Sequence, residues 1–519
     1  MELKYENPTA ALAPSGTSVT PQYGGNISQV VWQVRGRERQ AYTLSYDSEN
    51  RMTNAKYSDI SYSGTVTGGR YDETLTYDIR GNIQTLQRYG LTSVAGAPSP
   101  TWGQIDNLSY NYGASGYNPK NQLQRVTESS DLTKGFKSVA NGSTYSYDTN
   151  GNLTADPNKE ITSIAYNHLN LPTTITFTNS RSISFMYDAG GNKLRKTVVQ
   201  SGSTVYTQDY VGGIEYRNGV LESIYHAEGR ITNVNSVLKY EYALKDHLGN
   251  TRIMFCDKNG DGLVVVGSSQ ESSEITQENH YYPFGLAMEG KWLNTPSVLD
   301  NKYTFNGKEY NDDFGLNMND YGARFYDPAI GKWNGFDAMA EAYQSMSPYH
   351  YAMNNPMRFI DPDGMYSIDG TTSRNTSALA TDGSIVGGSS QATYNNDKNK
   401  RTQYEQKFQK KIGSVLQNMN RNGSTPAQIQ AKANQLAMKY QNRNWFRFFA
   451  NGGSDVGGHQ SQEIGGRSNT TGRKIDEVIS LHPFPASTTV NVMARTGGTG
   501  AANNSDIPTS GARINCLMV

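Results

Sequence analysis

Cysteine is nearly missing from this 519-residue chain: Cys256 and Cys516 stand far apart and give no disulfide framework, so the redox compartment is not fixed by them. Long apolar runs are missing too. None approaches the roughly 18–20 residues that span a bilayer, which excludes a transmembrane helix. Residues 1–16 lack a charged segment followed by an apolar one, so export by the general signal-peptide route is not expected. Hydrophobic residues reach only 35%, while Tyr numbers 35 and Gly 52. Aromatic and turn-forming residues in that excess predict many short strands rather than helices.

Net charge is also missing, but only in the sum. From Tyr366 onward there are 17 Lys and Arg against nine Asp and Glu, a balance of +8, which leaves −8 for the residues before it. The two parts can attract one another, or the basic tail can seek a polyanion.

After a polar lead-in over residues 1–40, which begins mid-pattern as a truncated chain would, a repeat sets in. Tyr46-Asp47 leads to Asn50-Arg51-Met52, Tyr77-Asp78 to Gly81-Asn82-Ile83, and Tyr147-Asp148 to Gly151-Asn152-Leu153. Tyr187-Asp188 leads to Gly191-Asn192 and Leu194, with a weaker copy at Tyr166-Asn167 and Leu171. The unit predicts a hairpin. Tyr ends a strand, Asp caps the turn, Gly-Asn supplies the positive-φ positions and the aliphatic residue starts the return strand. One hairpin cannot bury its apolar face, so copies must stack into a continuous sheet.

The densest stretch is Asn301–Met365. It holds Phe305-Asn306-Gly307-Lys308-Glu309, Tyr321-Gly322-Ala323-Arg324-Phe325-Tyr326-Asp327-Pro328, Ser347-Pro348-Tyr349, Asn354-Asn355-Pro356 and the closing Asp361-Pro362-Asp363-Gly364-Met365. Upstream stand Asp246-His247-Leu248-Gly249-Asn250 and Tyr281-Tyr282-Pro283-Phe284-Gly285. The repeats resemble YD repeats, and the stretch resembles the Rhs-repeat-associated core that closes Rhs/YD-repeat polymorphic toxins. The resemblance covers roughly residues 40–365. It implies a mainly β fold, a sheet spiralling into a partial shell over residues 41–252 that ends in the core, residues 253–365. A linker, residues 366–400, and a small α+β effector, residues 401–519, would follow.

The resemblance also implies self-cleavage by aspartic chemistry. Two carboxyls held close cannot both ionise cheaply, so one keeps a proton while the other activates water. Asp361 matches the family motif and places the scissile bond at Met365-Tyr366. Asp337 is the partner, with Ala338 where the family has Pro, and Arg324 steadies the charge of the pair. The same aspartates also suit plain Asp-Pro and Asp-Gly turns.

Two other sites invite chemistry. His247 sits in a Gly-Asn turn whose composition favours a structural role. Asp257–Gly262, DKNGDG, resembles the first half of a calcium loop, but position 12 is Ser268 rather than Glu, so a plain hairpin turn is expected.

In the tail, apolar spacing predicts one helix over residues 401–420 and a capping box at Thr425-Pro426-Ala427-Gln428 opens a second. Glu477, Ser480, His482-Pro483 and Ser505-Asp506 faintly resemble a JAB-type metalloprotease, with Ser480 where a zinc-binding His belongs. Asp455, His459 and Glu463 would suit a nuclease using magnesium or zinc on a basic surface. No cofactor is expected for the shell. The resemblance implies a secreted or cell-surface toxin of interbacterial competition, with secretion machinery and a cognate immunity protein as partners. A non-enzymatic adhesion protein and a decayed fragment of a longer toxin stand as alternatives.

Overall fold

A computed structural model describes residues 1–372, apart from 35–36, 94–98, 114–120, 235–236, 268–271 and 291–299. The effector candidates Asp455, His459, Glu463, Glu477, His482 and Asp506, most of the linker and both tail helices lie outside the described residues, as does Ser268.

The described chain is antiparallel β throughout, with only short 3-10 turns as helix. Nine strands from Glu2–Lys4 to Arg125–Glu128 form one sheet, and eleven from Ile161–Tyr166 to Ile275–Glu278 form another in simple sequential order. The single continuous sheet expected of the stacked repeats is therefore divided. Residues 129–145 carry no strand; Ser, Thr, Lys and Gly dominate there and no apolar alternation supports one. A two-stranded ribbon, Ser146–Tyr147 with Leu153–Ala155, and the turn Pro157–Lys159 bridge the gap.

The repeat turns follow the expected plan with one correction. In Tyr77-Asp78, the Asp78 carboxylate accepts from the Arg80 and Asn82 N–H groups, both at 2.8 Å, and the Gly81 N–H closes onto the Asp78 carbonyl at 3.0 Å. Only the Gly takes positive φ, +74° at Gly81. The Asn does not; its side-chain amide donates back to the second Asp78 oxygen at 2.9 Å, making the turn a two-handed clasp. The same clasp closes Asp148 on Asn152, Asp188 on Asn192 and Asp246 on Asn250.

A second device links the turns. The Tyr77 hydroxyl donates to the Met52 carbonyl at 2.6 Å, Tyr112 to Ile83 at 2.8 Å and Tyr147 to Leu123 at 2.9 Å. Tyr166 reaches Leu153 at 2.6 Å and Tyr187 reaches Pro172 at 3.1 Å. Each of these Tyr residues thus bonds the chain at or just before the start of the return strand of the turn upstream of it.

The closing stretch Asn301–Met365, called the core below, then docks onto the turn end of this row. The Asn355 side chain donates to the Asn50 carbonyl at 3.0 Å, Asn354 to Gly81 at 2.8 Å and the Tyr349 hydroxyl to Gly151 at 2.8 Å. One apolar cluster runs from Ile27 through both sheets to Phe305, Tyr326, Trp333 and Tyr351. The core is a lid on the stacked turns, and the aspartates hang from that lid.

Candidate active site

Arg324 is the hub. It stands just before the strand Phe325–Asp327, is 5% exposed, and stacks over the Trp333 ring at 4.4 Å. Its Nη2 reaches Asp337 Oδ2 at 2.8 Å and Asp361 Oδ2 at 3.4 Å, Nη1 donates to the Pro348 carbonyl at 3.3 Å, and Nε donates to the Gly364 carbonyl. One guanidinium therefore joins both predicted carboxylates to the backbone just ahead of the predicted scissile bond.

Asp361 belongs to the segment just after the strand Phe359–Ile360 and is 2% exposed. Its Oδ1 accepts from Gly364 N at 2.8 Å and Met365 N at 3.1 Å, so the carboxylate grips the residue on the upstream side of the Met365–Tyr366 bond. Gly364 has φ +84°, and a Cβ there would stand 3.0 Å from the Arg324 nitrogen, so the closing Gly of the motif is required by space and by backbone angle. Asp337, 3% exposed, is fixed by accepting from Met339 N at 2.7 Å and by donating its own N–H to the Pro348 carbonyl at 3.2 Å.

Burial pushes the Asp361 carboxyl up to about 6, against the pull of Arg324, with Asp363 and Asp337 adding to the rise. Burial also raises Asp337, again opposed by Arg324. Two buried carboxyls around one guanidinium hold a proton into mildly acidic solution. That is the electrostatic requirement for paired acid and base.

The other candidates fall into structural roles. His247 Nε2 contacts the Met357 carbonyl at 2.9 Å within the clasped Asp246 turn. The Asp257 carboxylate accepts from Gly260 N at 2.6 Å and Gly262 N at 2.9 Å, so its oxygens serve the turn itself. Among the described residues no cluster of three or more His, Cys, Asp or Glu could hold a metal, and no helix is long and apolar enough to cross a membrane. Sequence reasoning left Pro348 and Trp333 without a role. The Ser347-Pro348-Tyr349 motif was visible, yet its contact with Arg324 is made by a backbone carbonyl and leaves no residue-type signal.

No protein-family profile matches the chain. Similarity to curated proteins is modest. Toxin subunit YenC2 of Yersinia entomophaga is 27% identical over 317 residues, 58% of this chain and 30% of its own length. The tRNA3(Ser)-specific nuclease WapA of Bacillus spizizenii is 27% identical over 56% of this chain and 11% of its own. These two relatives are Rhs/YD-repeat proteins. Salivary gland surface protein 1 of Aedes aegypti is also similar, 28% identical over 46% of this chain and 7% of its own. The chain spans under a third of each of these proteins. Among solved structures, a crystal structure of TcdB2-TccC3-TEV aligns with a TM-score of 0.44 and 16% identity, covering 65% of this chain and 18% of that one.

Proposed function

We propose that this chain is the scaffold of an Rhs-type toxin, that residues 253–365 act as the Rhs core, and that the core cuts its own chain between Met365 and Tyr366. The observation that carries this reading is Arg324 holding Asp337 and Asp361 while Asp361 grips the Met365 amide. The carboxyl pair shares one proton. The charged member takes a proton from water, whose oxygen adds to the Met365 carbonyl carbon. The protonated member donates to the carbonyl oxygen, and on collapse the C–N bond breaks with a proton passing to the Tyr366 amine.

The test is the full chain, purified and followed on a denaturing gel with mass analysis of the products. Asp361→Asn and Asp337→Asn should each abolish the cut. Cleavage surviving Asp337→Asn alone would remove Asp337 from the pair, and an intact folded parent chain would end the mechanism. Because one carboxyl must stay protonated, the rate should fall as pH rises through about 6.

The freed tail is the effector, and nucleic acid is its target. The +8 balance and the similarity to a tRNA nuclease favour this. Cleaved protein supplied with magnesium or zinc should degrade RNA or DNA, and His459→Ala should stop it; untouched nucleic acid would reduce the basic charge to packing against the acidic scaffold. Secretion, an immunity partner and a role in competition between bacteria belong to this reading. The similarity to a salivary gland surface protein favours a second one, a surface-interaction protein, and a parent chain that never cleaves would support it.

A further inference from the structure

The aspartate site accounts for the upstream side of the Met365–Tyr366 bond but not for the downstream side, which is also held. The Tyr366 ring lies 5.3 Å from the Tyr343 ring at 37°, and Tyr343 is itself braced by His350 at 5.1 Å. Ser367, 8% exposed, donates its N–H to the Tyr343 hydroxyl at 2.8 Å, and that hydroxyl reaches back to the Ser367 carbonyl at 3.4 Å. Beyond it, Ile368–Asp369 pairs antiparallel with Phe359–Ile360, and Arg358 Nε donates to Asp369 at 2.9 Å.

We infer that Tyr343 and the Phe359–Ile360 strand form a peptide-binding subsite for the residues downstream of the cleavage point. The inference rests on the self-cleavage reading for its purpose, though not for its geometry. A hydroxyl that reads both the N–H and the C=O of one residue recognises extended backbone. With Asp361 and Arg324 holding Gly364 and Met365, the scissile bond is stretched between two anchors only one residue from it on either side. Such confinement keeps a reacting carbonyl near attack geometry. Tyr343 is a positioning residue here and takes no part in proton transfer.

The full chain tests this in two ways. Tyr343→Phe keeps the ring and removes the hydroxyl; it should slow self-cleavage about tenfold, through the loss of the hydroxyl's hydrogen bonds to Ser367. Hydrogen exchange in the Asp361→Asn chain reads the subsite without chemistry. The Ser367 amide should be protected there, and adding Tyr343→Phe should speed its exchange about tenfold. A Tyr343→Phe chain that cleaves at the parental rate and keeps the Ser367 amide protected overturns the subsite while leaving self-cleavage standing. Tyr343-dependent protection in a parent chain that never cuts overturns self-cleavage and leaves the subsite.

Discussion

Arg88 shows what a single residue carries in this fold. Its side chain is fully buried, paired through Nε with Glu73 at 2.7 Å and through Nη1 with Asp106 at 3.0 Å. It also donates to the Pro328 and Ala329 carbonyls at 3.0 and 2.7 Å, which pins the core to the first sheet. A buried pair is weak testimony for stability while it is whole, because desolvation cancels most of the attraction; breaking one side of it is costly. Arg88→Met should therefore lower the unfolding free energy by about 3–5 kcal/mol, read as a drop in the urea midpoint. A change under about 1 kcal/mol would mean that Glu73 and Asp106 relax by protonating together.

The clasped turn is the unit at the element scale. Asp148 accepts from Asn150 N, Asn152 N and the Asn152 amide at 2.9, 2.8 and 3.0 Å, so Asp148→Ala leaves three donors to water. It should cost about 1–2 kcal/mol, and Asn152→Ala, which loses the amide's bonds to Asp148 and to Asn170 Oδ1 at 2.9 Å but keeps both backbone donors on Asp148, should cost less. Thermal unfolding of the two variants side by side decides the order; equal losses would show that the Asn arm carries the turn. Much of this element was legible in sequence, because Tyr-Asp, Gly and the aliphatic residue are local signals with local geometry. The Asn was assigned a backbone role it does not have, since a side-chain bond to a residue four back looks the same in sequence as a positive φ. The Tyr-to-previous-repeat bonds and the core's grip on Asn50, Gly81 and Gly151 were invisible. Their partners lie 13–29 and roughly 198–305 residues away, and neither is an unusual residue. Asp337, Asp361 and Arg324 came from resemblance; nothing in their spacing alone brings 324, 337 and 361 together. Tyr343 was one tyrosine among 35.

At the scale of the whole molecule, buried ionisable groups set opposing responses to pH. Burial raises Glu215 to about 7 and Asp156 to about 6, so the folded state binds protons the unfolded chain has already released. Their stabilising contribution is complete near pH 4 and is lost as pH rises through 6 and 7. His280 and His350 are held neutral by burial, both lowered to about 4, and their contribution is lost as pH falls from 6.5 through 4. Glu215→Gln should separate the two. Its neighbour Gln208 donates from Nε2 to Glu215 at 3.0 Å and to Glu222 at 2.6 Å, and the new amide's oxygen can accept the first of these in the carboxylate's place. The variant should gain about 2 kcal/mol at pH 8, where the parent carries a buried charge, and nothing at pH 4. A gain of the same size at both pH values would make the effect one of packing.

The lid on the stacked turns also sets an order in time. The carbonyls that Asn354, Asn355 and Tyr349 grip exist in the right places only once the turns at residues 50, 81 and 151 have closed. Asp337, Arg324 and Asp361 are positioned by that same lid, and in a chain made from its amino end they emerge after every repeat. A ribosome that has not yet finished the repeats therefore carries no assembled blade. Any cut made by these aspartates is scheduled by architecture, and each closed turn is a signature required before it.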